Sequence, residues 1–211
     1  RALFAPHFIG YTCTAAALYA VLGWAAAFAM RQLGLDIATT GLYLAPIAVL
    51  AGGGGVATSG WIMDRFQRAG RADAPFVAGR VGAAGAVLAA AALPLATGLV
   101  SGLALLAIML FFVSFPMPPS SATLQMSTPA NMRARVSALF LFCNSIFGVT
   151  MGSTTVGLLN DTVFSGPLAT GHSLALVVGV ASLLAFWFLA AGGHACQALD
   201  RTDFKTDRGV N

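Results

Sequence analysis

The sequence predicts an all-α membrane protein of six transmembrane helices. Of its 211 residues, 58% are hydrophobic and only 9% are charged, and the mean hydropathy is +0.83. Its apolar residues also fall into six long uninterrupted runs. A soluble domain carries about 25% charged residues, so this chain cannot cover a water-facing surface. A β-barrel strand alternates in polarity over about 10 residues. These runs are continuous and match the roughly 20 residues that a helix needs to cross the hydrocarbon core.

The first run covers about residues 7–30, from His7 to Met30, and the second about 40–63. The third, about 75–97, opens with Pro75 in a favourable first-turn position. The fourth covers about 102–126, the fifth about 134–158 and the sixth about 172–194. Together they make one transmembrane unit over residues 1–194. Residues 195–211 form a polar tail with charges of both signs, expected to lie in the cytoplasm and to be mostly disordered. The chain starts at Arg1 with an apolar run close behind and no secretory leader, so it is expected to be cut from a longer protein.

The connections set an orientation. Arg65, Arg68 and Arg71 follow the second run, with Arg80 just inside the third; Arg133 and Arg135 follow the fourth; Arg201, Lys205 and Arg208 follow the sixth; Arg1 precedes the first. Arg31 alone of the 11 basic residues falls on the other side. Basic residues are retained on the cytoplasmic face, so both ends are expected there.

Polar side chains are costly against lipid, so their distribution marks the helices that look inward. The first run carries His7, Tyr11, Thr12, Thr14 and Tyr19; the fourth Ser114, Ser120, Ser121, Thr123 and Gln125; the fifth Asn144, Ser145, Thr150, Ser153, Thr154 and Thr155. The third and sixth runs are nearly bare of them and are expected to face lipid in support. His7, Tyr11 and Thr14 share one helical face. Asn144 lies midway along its helix, where an amide needs either a neighbouring helix or a ligand as partner. With Tyr43, Ser114, Gln125 and Thr150 these residues are the cavity candidates. Pro116, Pro118 and Pro119 break the fourth helix, either as a kink or as a loose end near the cytoplasm.

Gly52 to Gly55, then Gly79, Gly82 and Gly85, and the Gly148/Gly152 pair allow close helix contacts. Cys13, Cys143 and Cys196 have neither CxxC nor Cys/His spacing, so no metal site, disulfide framework or cofactor is expected. The scattered basic clusters exclude nucleic acid as a partner. An intramembrane protease would need a nucleophile and a histidine at one depth. Ser59 and His172 fall at opposite ends of their spans, so no enzymatic activity is expected.

The loop after the second run reads Gly60-Trp61-Ile62-Met63-Asp64-Arg65-Phe66-Gln67-Arg68. It resembles the G-x-x-x-D-R-x-G-R signature of the major facilitator superfamily, departing from it at Gln67 and Ala69. The stretch Pro129 to Ala138, the stretch Gly152 to Asp161 with Val163-Phe164, and His172-Ser173-Leu174 most resemble bacterial Spinster-like members. The resemblance implies that these helices are numbers seven to twelve, one half of a major facilitator fold built from two inverted three-helix repeats. It implies that the solute sits between the halves near midplane and that Gly60, Asp64, Arg65 and Arg68 form a cytoplasmic gate, with Gly60 allowing close packing. The partners implied are the N-terminal six-helix half, the lipid bilayer and a small organic or amphipathic solute such as a lipid or an organic anion. The activity implied is secondary transport, as symporter or uniporter, in a bacterial inner membrane. The alternative is a six-helix unit acting as a homodimer or as an interaction protein.

Overall fold

The computed structural model describes residues 4–208, and all regular structure among them is helical. Among the described residues, six helices are long and apolar enough to cross a membrane. They are α1 (Phe4–Gln32), α2 (Ile37–Arg68), α3 (Ala74–Leu95), α4 (Leu99–Gln125), α5 (Arg133–Thr162) and α6 (Ala169–Arg208). The residues expected to be a disordered tail instead continue α6 to Arg208, with 209–211 outside the described residues. Ala, Leu, Gln, Lys and Arg there are good helix formers, and extending an existing helix avoids the cost of a new nucleus.

Local chemistry sets the helix ends. Asp36 caps α2: its Oδ1 accepts the Thr39 N–H at 3.0 Å and its Oδ2 accepts the Thr39 hydroxyl at 2.6 Å. These bonds hold the Asp36 carboxyl below its ordinary pKa. Gly34 and Gly70 close α1 and α2 with φ of +71° and +77°. The Leu35 N–H then reaches the Ala29 carbonyl and the Arg71 N–H the Phe66 carbonyl.

Short connections alternate the helices up and down, so the loops after α2 and α4 share one end of the bundle. Cross-helix bonds agree. At that end the Tyr11 hydroxyl donates to the Pro75 carbonyl at 3.2 Å, joining the starts of α1 and α3. At the opposite end the Gly171 N–H donates to Gln32 Oε1 at 3.1 Å, and the Ser173 hydroxyl to Asn160 Oδ1 at 2.9 Å. Arg65, Arg68, Arg71, Arg133 and Arg135 therefore cluster at one end, and Arg31 sits at the other. Arg1 lies outside the described residues, as do the side chains of Arg201, Lys205 and Arg208.

The packed centre includes one face each of α3 and α6. Ala86, Ala89 and Ala90 of α3 and Leu174, Val177 and Val178 of α6 pack with Ala17, Val21 and Phe28 of α1 and with Leu106 and Met109 of α4. Helix α3 is nearly all Ala and Gly on this face, so its backbone comes close to its neighbours. Absence of polar residues therefore suits a tight interior face as well as an outward apolar one. Val81, Leu88, Val180 and Trp187 remain exposed on the other faces of the same two helices. The least buried helices are α2 and α5, which present Leu42, Val49, Leu50, Leu139, Phe142 and Phe147 outward.

Close approach falls at particular glycines. A Cβ on Gly55 would strike the Phe111 carbonyl of α4, and one on Gly152 the Ala16 carbonyl of α1. A Cβ on Gly148 would come within 3.0 Å of both Ala15 and Tyr19. The GxxxG pair of α5 is thus its contact with α1. On Gly60 nothing of this chain lies within 4 Å of a Cβ. The residue follows Ser59, which touches α4, and its own open side turns away from the other helices.

Helix α4 kinks between Val113 and Met117 and then resumes, so the prolines mark an interior break rather than a frayed end. Pro116, Pro118 and Pro119 lack N–H groups and would orphan the carbonyls of Phe112, Ser114 and Phe115, four residues earlier. The Phe115 N–H bonds to the Phe112 carbonyl at 3.2 Å and the Met117 N–H to the Ser114 carbonyl at 3.3 Å. The fully buried Ser59 of α2 donates its hydroxyl to the Phe115 carbonyl at 2.6 Å. Helices α2 and α5 each contain a π turn, at Ala48–Gly52 and Thr150–Thr154. In the second, the Ser153 carbonyl accepts the Trp24 indole N–H at 2.9 Å.

Ser59→Ala leaves the Phe115 carbonyl without a partner. We expect a loss of about 1 kcal/mol, read as a fall of roughly 2–4 °C in the melting temperature of detergent-solubilised protein. A melting curve identical to the parent's would show that the bond contributes nothing to stability.

Candidate functional site: a polar cleft between three helices

The side chains of α1, α4 and α5 enclose a cleft of about 170 Å³. Helix α1 contributes Tyr11, Thr14, Ala15, Leu18 and Tyr19; α4 contributes Pro116, Met117, Ser120 and Ser121; α5 contributes Phe140, Leu141, Asn144 and Ser145. The kink is what brings Pro116 to Ser121 into this wall. Asn144 stands about 16 Å along α5 from Arg133, at 1.5 Å per residue, or about half the thickness of a hydrocarbon core. These are the helices that the polarity of the sequence points to.

The cleft gathers three of the candidate residues. Tyr11 is buried, with its hydroxyl spent on Pro75. Thr14 donates its hydroxyl to the Tyr11 carbonyl at 2.8 Å, within its own helix. Asn144 Oδ1 is buried with no hydrogen-bond partner. Tyr19, Ser120, Ser121 and Ser145 complete the polar lining. They counted toward helix polarity in the sequence but were not set apart, because one sequence does not show which side of a kinked helix faces inward.

The other candidates lie outside the lining. His7 is 2% exposed and enclosed by rings, with the centroids of Tyr11 and Phe140 at 4.8 and 5.3 Å and that of Phe76 at 6.3 Å. Neither of its nitrogens has a partner. Ser114 is buried at the kink and donates to the Leu110 carbonyl at 2.8 Å. Tyr43 is 40% exposed on α2. Gln125 and Thr150 are exposed on α4 and α5.

At the basic end, Trp61, Asp64, Arg65, Arg68 and Ala69 line a shallow groove of about 380 Å³. The Arg65 guanidinium lies 5.8 Å from the Trp61 ring centroid. The one ion pair among the described residues is one turn further on, between Arg71 and Asp73. It is two-pronged: Nε to Oδ1 at 3.0 Å and Nη2 to Oδ2 at 2.9 Å. Asp73 also accepts Gln197 Nε2 at 2.7 Å, and the Cys196 thiol donates to the Ala72 carbonyl at 3.4 Å. The loop between α2 and α3 is thereby fastened to α6. The donors from Arg71, then Gln197, hold the Asp73 carboxyl below its ordinary pKa. Nothing in the sequence indicated this clamp, because Gln197 is 124 positions away. Among the described residues no cluster of His, Cys, Asp or Glu could hold a metal ion.

Residues 1–153 match the family described as Major Facilitator Superfamily. One curated relative is an "MFS-type efflux pump" of Mycolicibacterium smegmatis, 36% identical over 78 residues. That alignment covers 35% of this chain and 18% of the relative, so the chain spans only a small part of the relative's length.

Asp73→Asn should loosen the clamp by about 1–2 kcal/mol at neutral pH. Because partners depress the Asp73 pKa, its contribution is present above the ordinary carboxylate value of about 3.9 and fades as pH falls through the depressed folded value. Thermal melts at pH 7 and pH 3 should show the variant below the parent at pH 7 and the gap narrowed at pH 3. A gap independent of pH would refute the clamp.

Proposed function

We propose that this chain, which belongs to the Major Facilitator Superfamily, is the C-terminal six-helix half of a twelve-helix secondary transporter. The cleft between α1, α4 and α5 is then this half's share of the solute path. The observation that carries the reading is a polar cleft at mid-helix in a largely apolar bundle, with Asn144, whose amide oxygen has no partner, among its lining residues. A buried polar atom without a partner is costly, and a bound solute or its water supplies what is missing.

Other features support the same reading. The relative's name supports transport as the activity. The exposed apolar sides of α2 and α5 are where a second half would pack, and the basic groove at the end of α2 is where a gate would close. Solute would then reach the cleft alternately from each side as the halves rock. The basic end faces the cytoplasm of a bacterial inner membrane, with both chain ends on that side. The Spinster-like resemblance supports an amphipathic solute, carried as a symporter or a uniporter.

Two experiments test this reading. In the complete protein, Asn144→Ala should reduce transport at least tenfold with unchanged membrane expression; lost expression with normal specific activity would make Asn144 a packing residue. Single cysteines introduced beside Arg68 and Arg133 should react with an impermeant maleimide only from the cytoplasmic side. Labelling from opposite sides would overturn the topology.

A further inference from the structure

We propose that Arg80 and the α3–α6 face around it bind the headgroup phosphate of an anionic phospholipid, from the leaflet at the basic end of the bundle. The site lies apart from the solute path. The proposal takes from the transport reading only that the second half packs on α2 and α5, which leaves this face to lipid. Among the described residues Arg80 is the basic residue set deepest in a span, six residues past Ala74, or about 9 Å at 1.5 Å per residue. Its neighbour Gly79 faces Tyr11 and Leu189 in the interior. Arg80 itself is half-buried, with its guanidinium carbon 5.1 Å from the centre of the Phe186 ring on α6. Nearby on the same two helices Val81, Leu183, Leu184 and Trp187 are exposed. The guanidinium thus rests on an aromatic ring, in a face that is otherwise apolar and outward.

What the guanidinium lacks is an anion. Its Nε is buried with no hydrogen-bond partner, and the ion pair among the described residues is made by Arg71 instead. The chain's seven acidic residues all lie elsewhere. Asp73 is held by Arg71 and Gln197. Asp64 shares the groove at the end of α2 with Arg65 and Arg68. Asp36 precedes α2 and Asp161 ends α5, both at the opposite end of the bundle. Asp200, Asp203 and Asp207 begin 14 residues beyond Phe186 on α6, about 21 Å along the helix. A ring face offsets only part of the cost of a cation at this depth. The anion that a bilayer itself carries is the headgroup phosphate. Arg meets phosphate oxygens two at a time, and a basic pocket between helices on the cytoplasmic side suits an anionic headgroup. A zwitterionic lipid brings its own ammonium to its phosphate and gains less. The acyl chains then lie along the exposed apolar residues of α3 and α6.

Two lipids with the same chains test this: phosphatidylglycerol and phosphatidylcholine, each with a photoreactive group beside its ester linkage. The complete protein is irradiated in vesicles containing one or the other, and labelled residues are read by peptide mass spectrometry. We expect phosphatidylglycerol to label Val81 and the segment 183–187 about fivefold more than phosphatidylcholine does, relative to the rest of the protein. Arg80→Gln should bring that ratio down to the value for the rest of the protein. Arg80→Lys, which keeps the charge without the planar fork, should retain part of it. Equal labelling by the two lipids in the parent, or a preference that Arg80→Gln leaves unchanged, overturns the inference while the transport reading stands. Labelling by neither lipid means that protein covers this face, and the inference then falls together with the placement of the second half on α2 and α5. Should Arg80→Gln fail to fold, the ratio in the parent protein decides alone.

Discussion

Backbone polar groups have no water to turn to inside a bilayer, and the shape of this bundle follows from how its freed carbonyls find partners. Three prolines in α4 remove three N–H donors within four residues. A helix facing lipid could not tolerate that. Two of the carbonyls are recovered by tightening the turn, and the third takes the hydroxyl of Ser59 from the next helix. That solution requires α2 to lie against α4 at one depth. Gly55, one turn before Ser59, removes the side chain that would prevent it. The kink, the serine and the glycine are therefore one device spread over two helices, and the α4 wall of the cleft exists because of it.

The same logic operates at α5. A π turn frees a carbonyl, and Trp24 of α1 occupies it with an indole N–H. Gly148 and Gly152 bring the α5 backbone against Ala15 and Ala16 of α1. Tight apposition at this level holds α5 to α1. The kink of α4 lies at the level of the cleft and places Pro116 to Ser121 in its wall. The three helices consequently enclose space instead of filling it. Its polar lining follows from where Tyr19, Ser120, Ser121, Asn144 and Ser145 fall on helices fixed by these contacts.

Much of this was legible in the residues alone. Run length gave six crossings because the bilayer fixes the length of a spanning helix. Polarity gave α1, α4 and α5 because lipid penalises Asn, Ser and Thr wherever they lack partners. The same rule was incomplete for α3 and α6: a helix poor in polar groups suits lipid and a close-packed interior equally well, and these two helices have a face of each kind. Among individual residues, Tyr11, Thr14 and Asn144 reach the cleft, whereas Gln125 and Thr150 turn outward, since a kink and a π turn rotate the faces of α4 and α5 away from a regular helical count. The Asp73 clamp was invisible because its partner Gln197 lies far along the chain.

Gly60 shows how far a resemblance to a signature reaches. In the sequence it stands where that signature places a small residue, and close packing is the natural expectation. Within this chain, nothing approaches it. Gly55, outside the signature, is the residue pressed against a neighbouring backbone. The difference is one of position: Gly55 lies beside the α4 kink, while Gly60 is a turn and a half further along and on another side of the helix. A small residue retained at an open position serves no contact among the six helices, so any packing role for Gly60 belongs to a surface that the six do not supply. Asp64, Arg65 and Arg68 share that open end, exposed and without an ion pair among the described residues. The α2–α3 loop beyond them is fastened by Arg71, Asp73 and Gln197. A fastened loop behind an open charged face is what the gate proposed above would require.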